Sequence, residues 1–330
     1  MDSSRRDFLR TSAAVAGSVA AAELLHSNAE ATPGGLPKRV LGSTKERVSL
    51  IGFGLAPLGS DNTTPDEAAR IVNFALDSGI TYLDVAPVYG DPNSKYGNAE
   101  MKLKEVCRAR RKDFFLVTKV NPGSGQTRDG VLRQLEKSLK DIGTDYADAV
   151  HIHNLGDWDM DRLFKPDGAV AGLKEARKQG LVRFIGTSGH MRPPRFVQAI
   201  ETGDIDLVMN AYNFADRNHY DFEGLVLPAA KKQGTAVVAM KVLGGAVKWA
   251  YDARTPGCFA AKHELAIRYS LGLPGVACAV IGFANEGEIR KAVEVARAWK
   301  PLSREERAAL LDEGKKIADS RGLYYGPVTG

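Results

Sequence analysis

The sequence lacks the features that mark several large protein classes. It has three cysteines in 330 residues, Cys107, Cys258 and Cys278. Because their number is odd and their spacing wide, neither a disulfide framework nor a C-x-x-C metal site is predicted. The formal charge is only +5, and no basic stretch is interleaved with aromatic residues. The composition therefore gives no sign of a nucleic-acid-binding arm.

Long hydrophobic runs and linkers between domains are also missing. The most apolar stretch near the N-terminus, residues 11–25, is interrupted by Ser18 and Glu23. It is too short and too weakly hydrophobic for a stable membrane span. With 44% hydrophobic and 26% charged residues, the chain is typical of globular proteins. We predict that residues 32–330 form one domain.

The first thirty residues are typical of an export signal. Residues 4–10 read S-R-R-D-F-L-R, which resembles the twin-arginine motif, and the apolar run that follows ends near an A-x-A site at Ala29 and Ala31. We therefore predict a signal peptide over residues 1–31, export by the twin-arginine translocation machinery, and a periplasmic or extracellular location. The alternative is an N-terminal tail with a chance arginine pair.

The remaining sequence alternates between apolar, strand-like segments and helical patterns. Two short stretches around Gly42–Lys45 predict a hairpin before the main fold. Predicted helices include 65–77, 128–142, 170–179 and 225–233, and a capped C-terminal helix is predicted over 303–320. Residues 321–330 are predicted to lie near the barrel mouth or in solvent. The predicted strands are 50–55, 81–85, 114–120, 147–153, 183–187, 207–210, 236–241 and 277–281.

Eight strands alternating with helices over about 240 residues favour a parallel (β/α)₈ TIM barrel. A doubly wound open sheet is the alternative. However, no G-x-G-x-x-G motif follows the first strand, because Gly52 and Gly54 are followed by Leu55, Ala56 and Pro57.

In a barrel, residues at the C-terminal ends of the strands face one common site. Asp84 and Tyr89 follow the second strand, and Lys119 and His153 end the third and fourth. A nearby ammonium favours the phenolate and lowers the pKa of a phenol. We therefore expect Lys119 to adjust Tyr89 while Asp84 holds Lys119. His153 can orient a carbonyl oxygen toward the Tyr89 hydroxyl.

From Val40 to about Ser320, the chain resembles the aldo-keto reductase family. The resemblance is carried by segments in matching order: L-G-S at 41–43, G-F-G at 52–54, D-V-A-P-V-Y-G at 84–90, T-K at 118–119, D-Y-A-D-A-V-H-I-H at 145–153, G-L-V-R-F-I-G-T-S at 180–188 and L-P-G-V at 273–276. It implies a nicotinamide-dependent oxidoreductase that uses no metal and acts on small carbonyl or alcohol substrates. Asp84, Tyr89, Lys119 and His153 would form its catalytic tetrad, with Tyr89 as general acid.

The resemblance also implies residues that hold the cofactor. Ser188 and Asn210 match positions that bind the nicotinamide carboxamide, and Gly244 and Gly245 match a loop that closes over the pyrophosphate. The rest of the predicted cofactor-binding set is Met240, Lys241, Gly282 and Arg290.

Two departures from the family affect the cofactor. Met240 stands where many members stack an aromatic ring on the nicotinamide. After the eighth strand the segment G-F-A-N-E-G-E, 282–288, lacks the basic residues that commonly bind a 2′-phosphate, and Glu286 and Glu288 would repel one unless Arg290 or Lys291 turns inward. NADP(H) is the usual family cofactor, and NAD(H) is the competing assignment.

Two other functions remain open at this stage. His151, His153 and His190 suggest a metal-dependent barrel hydrolase, although the eighth strand ends without a ligand. The other alternative is a cofactor-binding sensor or partner subunit, which keeps the tetrad but turns over poorly. The loops around the predicted site carry both polar and tryptophan side chains, so sugar-like carbonyls and aromatic aldehydes are both candidate substrates.

Overall fold

The computed structural model describes residues 35–123, 125–245 and 258–330, so the predicted signal peptide lies outside the described residues. It opens with an antiparallel hairpin of β1 (Lys38–Val40) and β2 (Arg47–Ser49), joined through a 3₁₀ turn at Gly42–Thr44. This confirms the predicted hairpin. Leu41 and Val48 pack into the apolar cluster inside the barrel, so the hairpin covers its N-terminal end.

Eight parallel strands form a closed barrel, which confirms the predicted fold class and rules out the open doubly wound sheet. The strands are β3 (Ile51–Gly54), β4 (Tyr82–Asp84), β5 (Phe115–Val120), β6 (Ala147–Ile152), β7 (Val182–Gly189), β8 (Leu207–Ala211), β9 (Ala236–Met240) and β10 (Val276–Gly282). The last strand of the barrel, β10, pairs with the first barrel strand, β3, and places Gly282 opposite Gly54.

The helices surround the barrel, and none in the described part of the chain is long and apolar enough to cross a membrane. They are α1 (Pro65–Asp77), α2 (Ala99–Lys102), α3 (Lys104–Arg110), α4 (Arg128–Ile142), α5 (Met160–Leu163), α6 (Ala169–Lys178), α7 (Pro193–Glu201), α8 (Phe222–Gln233), α9 (His263–Leu271), α10 (Glu286–Arg297) and α11 (Arg304–Arg321).

Local sequence signals fix where several of these helices begin and end. Thr64 caps α1 by accepting a hydrogen bond from the Glu67 N–H, and Pro65 occupies the first helical position. α4 ends at Gly143, whose φ of 77° is a left-handed conformation that glycine adopts readily. Ser303 begins α11 with a capping box. These are the signals from which the same helices were predicted.

Strand alternation divides the core into two parts. Inward side chains such as Phe115, Val117 and Met209 fill the barrel, while the outward side chains pack against the helices. The inward row of β5 ends in Lys119, which is 1% exposed. The same alternation thus fills the barrel with apolar groups and delivers polar groups to its C-terminal mouth.

The C-terminal tail lies against the barrel mouth, one of its two predicted locations. The Tyr325 ring stacks on His190 with centroids 5.1 Å apart. The Tyr220 hydroxyl donates to the Gly326 carbonyl at 2.8 Å, and the Arg192 N–H donates to the Pro327 carbonyl at 3.3 Å.

Candidate active site

A buried ion pair between Asp84 and Lys119 lies at the mouth of the barrel. The Lys119 ammonium donates to both Asp84 carboxylate oxygens at 2.7 Å and to the Val85 carbonyl at 2.9 Å. All three of its N–H groups therefore have acceptors. Burial lowers the pKa of Lys119 and raises that of Asp84, and their mutual attraction opposes both shifts. The pair is thus held in one geometry beneath the site.

Tyr89 is positioned by a loop that packs closely on a neighbouring turn. A Cβ added at Gly59 would lie 2.3 Å from the Tyr89 carbonyl oxygen, and one at Gly90 would lie 2.2 Å from the Gly59 carbonyl oxygen. The Asn98 side chain donates to the Pro87 carbonyl at 2.8 Å. Gly59 and Asn98, which our sequence reasoning missed, therefore hold the Tyr89 loop in place. In the sequence, the only sign of this close packing is that residue 59 is a glycine.

The Tyr89 hydroxyl lies 3.5 Å from Asp84 Oδ2, and the Lys119 ammonium lies 4.8 Å from the centre of the tyrosine ring. Burial raises the pKa of Tyr89 well above its usual value, and the Asp84 carboxylate raises it further. The net shift is upward although the nearby Lys119 ammonium is expected to lower this pKa, because burial and the Asp84 carboxylate outweigh it. Tyr89 is a neutral phenol at physiological pH and holds a proton that it can donate.

His153 lies across from Tyr89, with ring centroids 6.2 Å apart and an edge-on arrangement. Its backbone carbonyl accepts a hydrogen bond from the Trp158 indole at 2.7 Å. Its buried Nδ1 has no hydrogen-bond partner in the described ranges. Burial, with a smaller contribution from Lys119, lowers the pKa of His153 to about 3. The imidazole is therefore neutral and keeps one N–H for hydrogen bonding.

A cavity of about 960 Å³ begins at Asp84 and Tyr89 and extends past the ends of β9 and β10 toward α9 and α10. Of the predicted cofactor residues, Met240, Lys241, Gly245 and Gly282 line it. An elongated molecule that places its reactive end beside Tyr89 would direct its other end between these two helices.

The turn after β9 has an unusual backbone. Lys241 has a φ of 55°, and Gly244 and Gly245 have φ of 78° and 76°. The Gly244 N–H donates to the Lys241 carbonyl at 2.8 Å, and a Cβ at Gly244 would lie 2.7 Å from the Phe259 ring. Burial, with help from the Lys119 charge, lowers the pKa of Lys241 to about 8. A tight glycine turn thus sets a cation on the cavity wall, which suits an anionic ligand.

The predicted carboxamide site is only partly assembled. Ser188 is the penultimate residue of β7, and its buried hydroxyl has no partner among the residues that the structure describes. The Asn210 side chain donates to the Gly189 carbonyl at 3.2 Å and does not line the cavity. Met209, one residue earlier, faces the cavity instead. Asn210 Oδ1, like the Ser188 hydroxyl, is buried without a hydrogen-bond partner among the described residues.

Arg290 does not line the cavity. Its guanidinium lies 4.3 Å from the centre of the Phe74 ring and pairs with Glu286 at 3.4 Å, on the outer side of α10. Lys291, the next residue, lines the cavity. Consecutive residues of a helix lie about 100° apart around its axis, so Arg290 and Lys291 point in different directions.

The three histidines of the metal-site alternative do not form a metal site. No group of three or more His, Cys, Asp or Glu side chains in residues 35–123, 125–245 and 258–330 is arranged to hold a metal ion. His151 is fully buried in the barrel against Gly186, where a Cβ would come within 2.4 Å of its ring. His190 stacks on Tyr325 instead. The hydrolase alternative is not favoured.

Comparison with known proteins agrees with this geometry. The model of the Aldo/keto reductase family matches residues 50–263, which is more than half of the chain. The chain belongs to the aldo/keto reductase family. In this family the chain is similar to an aldo-keto reductase from Bacillus halodurans, solved in a holo form, with a TM-score of 0.67 and 25% identity over 84% of this chain and 96% of that one.

Several curated relatives are named for reactions of sugars. L-galactose dehydrogenase of Arabidopsis thaliana is 23% identical over 87% of this chain and 98% of the relative. 6-dehydroglucose reductase of Novosphingobium aromaticivorans is 34% identical over 46% of this chain and 50% of the relative. This aldo/keto reductase is thus an oxidoreductase whose sequence aligns with nearly the full length of the plant protein.

Proposed function

We propose that the protein interconverts carbonyl and alcohol groups with a nicotinamide dinucleotide, and that Tyr89 is the general acid and base. The observation that supports this most strongly is the convergence of Asp84, Tyr89, Lys119 and His153 at one end of the long cavity. These side chains come from β4, the loop after it and the ends of β5 and β6. Barrel geometry brings strand ends to one mouth, but it does not require that a carboxylate, a phenol, an ammonium and an imidazole stand there together.

The residues along the cavity, together with Ser188, which is paired across β7 and β8 with the lining residue Met209, fit a dinucleotide. The glycine turn and Lys241 suit the pyrophosphate, the unpartnered Ser188 hydroxyl suits an amide group, and Met240 offers an apolar surface for a flat ring. When bound, the reduced cofactor supplies the hydride. Ser188, Met240 and Lys241 would hold this cofactor and orient its reacting end toward Tyr89.

Tyr89 donates its hydroxyl proton to the carbonyl oxygen as negative charge develops there. The neutral His153 imidazole donates a hydrogen bond to the same oxygen and orients it. The tyrosinate that remains is stabilised by the Lys119 ammonium, and Asp84 keeps that ammonium in place. Solvent then returns a proton to Tyr89. In alcohol oxidation the proton moves the other way.

The reaction is tested with the purified full-length protein, NADH or NADPH, and a panel of aldehydes, followed by cofactor absorbance. Consumption of cofactor that requires both the carbonyl and Tyr89 supports the proposal. Tight cofactor binding without turnover of any carbonyl would favour the sensor or partner-subunit alternative. Metal analysis of the same preparation tests the hydrolase.

We further propose a polyhydroxylated, sugar-like substrate, because the names of several relatives refer to sugars. The test compares aldoses offered with NAD⁺ against aromatic aldehydes offered with NADH. A kcat/KM that is higher for the aromatic aldehydes would contradict the sugar assignment and leave the proposed chemistry unaffected.

We also propose export of the folded protein through the twin-arginine route, on the basis of Arg5 and Arg6 and the segment that follows. Replacing both arginines with lysine should retain the protein in the cytosol, whereas the parent should appear outside it without residues 1–31. Export that does not depend on the arginine pair would refute this.

A further inference from the structure

The far end of the cavity is lined by one face of α10. Glu288, Lys291 and Glu294 are spaced three residues apart, and all three line the cavity. Residues at this spacing lie on the same side of a helix, so the lysine has a carboxylate one turn to either side. The helix therefore presents a net negative face to any ligand that extends from Tyr89 to this end.

The Glu288 carboxylate lies at the N-terminus of α10, a position that would otherwise attract an anionic ligand. One of its oxygens accepts a hydrogen bond from the Ala284 N–H at 2.8 Å, just before α10 begins. Its own N–H is capped by Asn285 at 3.1 Å. The N-terminus of a helix favours negative charge, and here the protein's own carboxylate satisfies that preference. Its other oxygen makes no hydrogen bond to any described residue and remains available as an acceptor.

The other cations at this end are engaged by acids. Lys262 pairs with Glu313 at 3.0 Å, and Arg268 pairs with Glu306 at 2.7 Å. His263 has a pKa lowered by burial, so it is neutral at physiological pH. A phosphate dianion at this end of the cavity would face Lys291, which has a carboxylate on either side. It would not find a cluster of cations that are free of acidic partners.

We propose that Glu288 makes this protein select NAD(H), whose adenosine ribose has a free 2′-hydroxyl, over the 2′-phosphorylated NADP(H). This rests on the proposed function, in which the nicotinamide lies beside Tyr89 and the adenosine reaches α10. The unbonded Glu288 oxygen accepts a hydrogen bond from a ribose hydroxyl, and the same charge repels a phosphate ester. NAD(H) selectivity would depart from the usual family cofactor.

The experiment measures binding of NAD⁺ and NADP⁺ to the full-length protein by isothermal titration calorimetry, without a carbonyl substrate. We expect NAD⁺ to bind at least about tenfold more tightly, as one like-charge contact at a partly exposed site implies. Glu288→Gln keeps an acceptor for the Ala284 N–H and should raise NADP⁺ affinity about fivefold or more, with less change for NAD⁺.

Glu286→Gln is the matched control. Glu286 lies on the same first turn but pairs with Arg70 and Arg290 outside the cavity, so its replacement removes the same charge without touching the ligand. Equal or tighter binding of NADP⁺ by the parent would overturn the proposal, as would an equal gain from the control variant. If neither dinucleotide binds, the proposed function itself fails. If both bind and NADP⁺ is preferred, only the role of Glu288 fails.

Discussion

Replacing Asp84 with asparagine should destabilise the protein by an amount that depends on pH. The Asp84 and Lys119 side chains are 4% and 1% exposed, so the variant leaves a buried ammonium without its counter-ion. Breaking such a pair costs about 3–5 kcal/mol. The loss of stability has an upper limit, because Lys119 can become neutral by releasing its proton. At pH 7 that costs about 4.6 kcal/mol, since an ordinary lysine pKa of about 10.4 lies about 3.4 above this pH and each pH unit is worth about 1.36 kcal/mol.

At pH 9 this upper limit on the loss of stability falls to about 1.9 kcal/mol. In the variant the folded state binds fewer protons than the unfolded state between these pH values, so its stability rises with pH relative to the parent. Urea unfolding at pH 7 and pH 9 measures both values. The double variant Asp84→Asn, Lys119→Met should be more stable at pH 7 than Asp84→Asn alone. A loss below about 1 kcal/mol at pH 7, or one that does not shrink by pH 9, would refute the buried ion pair.

Three further predictions concern a buried acid, the turn after β9 and the barrel interior. Burial raises the pKa of Glu100 to about 7. The folded carboxyl therefore keeps its proton after the unfolded chain has ionised, and the free energy of unfolding should fall by up to about 3 kcal/mol between pH 4.5 and 7. Glu100→Gln should remove this slope in urea unfolding, and an unchanged slope would contradict it. Lys241, with a pKa of about 8, loses its charge above that pH, so dinucleotide affinity should weaken from pH 7 to pH 9 in the parent but not in Lys241→Met. Calorimetry at both pH values measures these affinities, and an equal change in affinity for the parent and Lys241→Met would contradict the prediction. Gly186→Ala forces a methyl group to within 2.4 Å of the His151 ring and should cost about 1–3 kcal/mol in thermal or urea unfolding. A substitution without effect on stability would show that the barrel interior can make room for the methyl group.

Most of the architecture could be predicted from local signals. The Thr64–Pro65 start of α1 and the Gly143 end of α4 are encoded within a few residues of where they act. The regular alternation of strand and helix then leaves few topologies. The tetrad positions followed from the rule that barrel strands deliver their last residues to one mouth, together with the family resemblance.

Finer details of the site depend on phase and on contacts between distant segments. Met209 and Lys291 line the cavity, whereas the neighbouring predicted residues Asn210 and Arg290 do not, and one residue of phase decides which side chain faces it. The raised pKa of Tyr89 depends mainly on the burial of its hydroxyl and on the nearby Asp84 carboxylate, which no local pattern encodes. The approach of Gly59 to the Tyr89 loop is likewise a contact between distant segments.

The measurement that tests the central claim most directly is the comparison of Tyr89→Phe with the parent. The lost hydroxyl makes only a 3.5 Å contact with Asp84, so stability should change by less than about 1 kcal/mol and dinucleotide affinity should be retained. The kcat for carbonyl reduction should fall about a hundredfold or more, because the positioned proton donor is gone. A phenylalanine variant that reduces carbonyls as fast as the parent would contradict the assignment of Tyr89 as the proton donor.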